Sequence, residues 1–161
     1  MRIGDLQLNG PFVAAPMAGV SSPAFRLMAK RAGAAMAYTE MVSAVGLVRE
    51  HKLTWDLCQV APQERPVALQ LFGADPEIMH QATLLVNRMP VDVVDVNLGC
   101  PAKKIRRQGA GSALMDDPPL AAEVVAAVVQ ASNLPVTAKL RLGFKKDQLE
   151  VILPGVLKAG V

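Results

Sequence analysis

Cysteine is scarce in this 161-residue chain: Cys58 and Cys100 stand far apart and form no Cys-x-x-Cys pair. That excludes a disulfide framework and suits a reducing compartment. Histidine is equally scarce, with His51 and His80 in different segments and no His-Glu-x-x-His motif, so no metal centre is expected. Long apolar runs are missing too. The first ten residues, MRIGDLQLNG, carry an early Asp5, and the most apolar stretch, 121–131, is short and holds Glu123 and Gln130. The expectation is a cytoplasmic protein with no membrane span. No Gly-Lys-Ser/Thr ending marks a Walker loop, and no Gly-x-Gly-x-x-Gly marks a dinucleotide site. Repeats, low-complexity tracts and linkers are absent as well, which favours one domain. The formal charge of +3 is small, so it permits an anionic partner without demanding one.

What is present is core material, 52% hydrophobic residues, arranged in regular alternation. Short apolar runs at 11–17, 35–39, 66–72, 91–97 and 135–142 read as strands. Helical patterns follow each: after Ser22-Pro23 up to Gly33, after Ser43, from Asp75-Pro76, over 117–131, and over 149–158 before Gly160. Strand and helix in alternation mean an α/β fold with a parallel sheet, and both a doubly wound sheet and a (β/α)8 barrel fit. Met17, Thr39-Glu40, Gln70, Asn97 and Lys139 to Arg141 all fall at the C-terminal ends of predicted strands. In a barrel those ends converge on one mouth, which favours the barrel. A complete barrel needs roughly 250 residues and eight strands. About five βα units are visible, and the sequence reads as truncated before the sixth strand. Such a piece would leave sheet edges and helix faces open to self-association.

The connection Asp95 to Ser112, DVNLGCPAKKIRRQGAGS, is the densest in chemistry. Pro101 biases Cys100 toward an extended backbone, and Gly99 permits close approach of a ligand. A cysteine in such a turn serves equally well as a small apolar filler. Lys103, Lys104, Arg106 and Arg107 suit phosphates, and a solvated surface loop has the same composition. The turn Gly109-Ala-Gly111-Ser112 is open to two uses, holding an anion or returning the chain to its helix.

The segments APMAGVSSPAFR, TEMVSA, QLFG, DVNLGCPAKKI with GAGSALM, and VTAKLRLG occur in an order that resembles the tRNA-dihydrouridine synthases, specifically their bacterial B-type branch. The resemblance spans nearly the whole chain and is most specific in the Cys100 loop. It implies an FMN-binding (β/α)8 catalytic domain of which 1–161 is a part, with the second barrel half and a helical RNA-binding domain lying outside these residues. By the same resemblance, Pro16, Met17 and Ala18 would line the flavin, Gln70 would bond its ring edge, and Lys139 would approach a flavin or substrate carbonyl. Cys100 would be the acid. Adding hydride to uracil C6 leaves charge over C5 and the neighbouring carbonyl, and a proton must then reach C5. An ordinary thiol, with a reference pKa of about 8.5, is mostly protonated at neutral pH and suits that task. Asn97 would orient the base, Arg141 would join Lys139 against the developing charge, and Lys103, Lys104, Arg106 and Arg107 would hold phosphates of a tRNA whose uridine is turned out of its stack. NADPH is the implied reductant. Two other expectations stand beside this one: a free-pyrimidine flavin oxidoreductase related to dihydroorotate dehydrogenases, and an inactive half-barrel fragment.

Overall fold

Short, near-continuous apolar runs such as VALQLF and VVDVN decide the architecture, because a parallel strand inside a sheet covered on both faces buries successive residues on both sides. In a computed structural model, which describes residues 1–143 and 146–161, five parallel strands lie side by side in chain order. They are β3 (Val13–Ala14), β4 (Met36–Ser43), β5 (Val67–Phe72), β6 (Val93–Asn97) and β7 (Val136–Lys139). The sheet curls through 198° as a half-barrel with helices outside, the architecture of a partial (β/α)8 barrel.

The helices are α1 (Pro23–Arg31), α2 (Ala44–Val48), α3 (Lys52–Asp56), α4 (Pro76–Val86), α5 (Lys103–Arg106), α6 (Pro118–Ala131) and α7 (Leu149–Lys158). Ser22, Asp75 and Asp117 cap α1, α4 and α6 with side-chain oxygens, each with a proline in the first turn. Outward residues Leu69, Leu71, Val94 and Val96 pack on Met79, Ala82 and Val86 of α4 and on Val124, Val125 and Val128 of α6. This sheet–helix layer is the main core.

Several features depart from the sequence expectation, among them the short helix α5 within what reads as the loop after Cys100. An antiparallel pair, β1 (Arg2–Ile3) and β2 (Leu6–Gln7), precedes the first barrel strand, and Leu8 behind it is buried against Met36, Ala68 and Val93. Two-residue strands are too short for any periodic signal, so only tertiary packing reveals this cover at the N-terminal end of the barrel. The second strand also runs on to Ser43, beyond the expected Thr39. A register shift between Tyr38 and Met41 inserts an extra residue there, which breaks the period-two pattern and ends the recognisable run early.

Among the described residues no helix is long and apolar enough to cross a membrane, and no group of His, Cys, Asp and Glu is placed to hold a metal ion.

Candidate functional site

The C-terminal ends of β4 to β7 surround a cleft of about 220 Å³. Pro16, Ala18, Gln70, Asn97, Cys100 and Lys139, all singled out from sequence, line it together, and Met41, Gly99 and Pro101 complete the wall. Met17 belongs to the same loop as Pro16 but lies outside the lining, with 39% of its surface exposed. Arg141 is exposed beside the loop, its Cγ only 3.0 Å from where a Cβ on Gly99 would sit. The basic residues form a second feature: Lys103, Arg106 and Arg107 line a separate surface cleft of about 440 Å³. Lys104 is exposed on the same short helix, α5, outside both linings.

The Cys100 loop is held from both sides. Asn97 Oδ1 accepts hydrogen bonds from the backbone N–H of Gly99 at 3.1 Å and of Cys100 at 2.9 Å, an Asx turn that folds the chain back over the strand end. From the other side, the Ser112 N–H donates to the Cys100 carbonyl at 3.0 Å. Gly111 sits at φ +62°, and a Cβ there would lie 2.8 Å from that same carbonyl oxygen. The turn therefore braces the cysteine backbone, and a side chain is excluded at Gly111. Cys100 itself is half-buried against the small apolar cluster of Phe72, Ile105 and Ala110. Cys58 is a different kind of thiol: it is buried, its Sγ donates to the Thr54 carbonyl, and burial pushes its pKa up to about 11.

The opposite wall, 15–21, is knitted by its own backbone. Ser21 Oγ accepts from the Met17 N–H at 2.9 Å, and the Ser21 and Val20 N–H groups both donate to the Met17 carbonyl. The Gly19 N–H donates to the Glu40 carboxylate, tying the loop to β4. Behind it lies a buried ion pair. Arg26 of α1, 1% exposed, donates to Glu64 at 2.6 Å, to the Ser21 carbonyl at 2.8 Å and to the Gln59 carbonyl at 2.6 Å. Sequence inspection misses Arg26, because a single arginine in an amphipathic helix looks like any solvated cation.

Below the mouth, three inward residues in register on adjacent strands form a polar layer. Gln70 faces Asp95, and Asp95 faces Thr137. Gln70 Nε2 donates to Asp95 Oδ2 at 2.6 Å and Thr137 Oγ1 donates to Asp95 Oδ1 at 2.6 Å. Asp95 is also missed by sequence, although its signal is visible: Asp95 and Asn97 lie two apart in an otherwise apolar strand, hence on one face. Burial pushes the Asp95 carboxyl up to about 6, against the opposing pull of the Gln70 and Thr137 hydrogen bonds and of the Lys139 charge.

A carboxyl raised in the folded state makes a defined contribution to pH dependence. Its stabilising share is fully present below its unfolded value near 3.8 and is lost as pH rises through about 6. Asp95→Asn is therefore expected to flatten the stability profile between about pH 4 and 6, a difference of roughly 2–3 kcal/mol at 1.36 kcal/mol per pK unit. Chemical denaturation at several pH values measures it, and an unchanged profile in the variant would assign the dependence to another group.

The family model for dihydrouridine synthase matches residues 13–161. The chain is 40% identical over 157 residues to a probable tRNA-dihydrouridine synthase of Aquifex aeolicus, covering 95% of this chain and 49% of that protein. It is 41% identical over 147 residues to tRNA-dihydrouridine synthase B of Shewanella oneidensis, covering 91% and 46%. The corresponding protein of Pseudomonas aeruginosa is 39% identical over 148 residues, covering 91% and 44%. The chain thus spans about half the length of the curated relatives it matches. With a strand-end cleft that gathers a half-buried thiol, two amides and a lysine, and a family match running from the first barrel strand to the last residue, the chain belongs to the dihydrouridine synthase family.

Proposed function

We propose that this chain carries the catalytic face of an enzyme that reduces uridine in tRNA to 5,6-dihydrouridine with bound FMN. The observation that carries it is the cleft that gathers Cys100, Asn97, Gln70 and Lys139 at the ends of adjacent strands, in a chain of this family. The residues suit a flat heteroaromatic ring: Pro16, Ala18 and Met41 offer apolar contact, while Gln70 and Lys139 offer donors to a polar edge. Pro16, Ala18, Gln70 and Lys139 would hold the flavin, which when bound would supply hydride chemistry toward uracil C6, with NADPH as the reductant.

The chain's own residues do the rest. Cys100 gives its proton to C5 as the second new C–H bond forms, and the thiolate is reprotonated from solvent. Lys139 and Arg141 offset the negative charge on the uracil carbonyl while the proton is in transit. Asn97 keeps the thiol-bearing loop folded over the strand end and faces the base. Lys103, Lys104, Arg106 and Arg107, all exposed around α5, hold phosphates flanking the turned-out uridine.

The test exploits the polymeric substrate. Neutralising Lys103, Lys104, Arg106 and Arg107 is expected to weaken tRNA binding at least tenfold and to leave flavin content unchanged. The salt slope should fall by roughly 0.7 for each lost single-strand phosphate contact. Dihydrouridine should form in tRNA but not in free uracil, and no dihydroorotate should be consumed. Unaltered affinity and salt dependence in a folded variant, or turnover of the free pyrimidines, would remove the support for tRNA as substrate.

A further inference from the structure

A carboxylate in the strand Val-Val-Asp-Val-Asn is costly, because burial strips the water that its charge requires. Valine would fit that strand position without the cost. Asp95 is nevertheless 1% exposed and lies beneath the cleft, outside its lining.

Its two oxygens only accept, so Gln70 must present its NH2 to them, as it does at 2.6 Å. That leaves Gln70 Oε1 facing Asn97, whose Nδ2 donates to it at 2.8 Å. Asn97 in turn is left with Oδ1 for the N–H groups of Gly99 and Cys100, at 3.1 and 2.9 Å. Each amide has one orientation compatible with the next, and reversing either would set N–H against N–H. Thr137 takes the second carboxylate oxygen at 2.6 Å and closes the far end.

We propose that Asp95 is a positioning residue: by ordering the Gln70 and Asn97 amides it holds the Cys100 backbone, and with it the thiol, at the mouth of the cleft. Its catalytic meaning rests on Cys100 being the proton donor proposed above. The relay itself is measurable without turnover.

The experiment follows backbone amide exchange at Gly99 and Cys100, and iodoacetamide alkylation of Cys100, in the 161-residue chain with its unfolding midpoint recorded in parallel. Cys58 is buried and serves as the unreactive internal control. Asp95→Val keeps the strand shape and removes the acceptor. Exchange at Gly99 and Cys100 is expected to quicken roughly five- to tenfold, the equivalent of one lost hydrogen bond, and Cys100 alkylation to change rate, while the midpoint holds or rises. Asp95→Asn keeps an acceptor for Gln70 and turns its own NH2 to the Thr137 hydroxyl, so protection returns to the native level. Three results would overturn the proposal: unchanged exchange in Asp95→Val, a loss of protection spread over the whole sheet with a lowered midpoint, or equal loosening in Asp95→Asn. Retained turnover in Cys100→Ala would remove the proton-donor assignment and leave this exchange pattern standing, so the two failures are distinguishable.

Discussion

Replacing Cys100 with alanine is expected to lower dihydrouridine formation by about 10²- to 10⁴-fold, the range over which positioned acids act, with flavin content unchanged. The expectation follows from what the side chain touches. Cys100 lies in the cleft wall, and its backbone is fixed by two hydrogen bonds that alanine preserves: its N–H donates to Asn97 Oδ1, and its carbonyl accepts from the Ser112 N–H. The substitution thus removes the proton and little else. Cys58→Ala is the matched control: that thiol is buried among core residues remote from the cleft lining, so its loss should lower stability by about 1 kcal/mol and leave turnover intact. Turnover measured on saturating tRNA, with flavin absorbance recorded on the same sample, separates the two. Full activity in Cys100→Ala would reassign the proton to another group, and equal losses in both variants would make the effect structural.

Arg26→Ala is expected to cost about 3–5 kcal/mol of stability, enough to leave a marginal domain largely unfolded. The side chain is 1% exposed, and Glu64 opposite is 2% exposed. Removing the guanidinium strands the Glu64 carboxylate without its cation and leaves the Ser21 and Gln59 carbonyls without their donors. Unpaired buried charge is the most expensive of these. The paired change Arg26→Met with Glu64→Leu removes both charges, and it should recover most of the loss. Urea denaturation of the single and double variants reads the difference. A single-variant cost below about 1 kcal/mol would mean that water reaches the pair. Because Arg26 also holds the Ser21 carbonyl at the base of the loop carrying Pro16 and Ala18, the double variant should keep its stability while the cleft wall on that side loosens.

How much of this was legible in the amino acids differs from element to element. The capped helices α1, α4 and α6 were, because a serine or aspartate before proline states its role locally: the side chain accepts backbone N–H groups one turn away. The inner strands β5 and β6 were, because runs such as VALQLF and VVDVN have no stable place except inside a sheet covered on both faces. Gln70, Asn97, Cys100 and Lys139 could be nominated together since each sits at the end of such a strand, and in a parallel sheet those ends share one side. Met17 shows the limit. Its place in the loop was evident, but whether it lines the cleft depends on how Ser21 and Glu40 fold that loop.

The sequence by itself determined the α/β alternation, the place of the thiol at a strand end and the cationic segment after it, since these depend on neighbours within a few residues; that the cations sit on a short helix, α5, came from the structure. Tertiary structure alone decided the rest. The bulge that carries β4 past Thr39, the cover provided by Leu8, the Arg26–Glu64 pair across 38 positions, and the Thr137–Asp95–Gln70–Asn97 chain across four strand positions all join residues far apart along the backbone. Hydrogen bonds and burial act through space, and a buried carboxylate is distinguishable from a solvated one only when the strands beside it are in register.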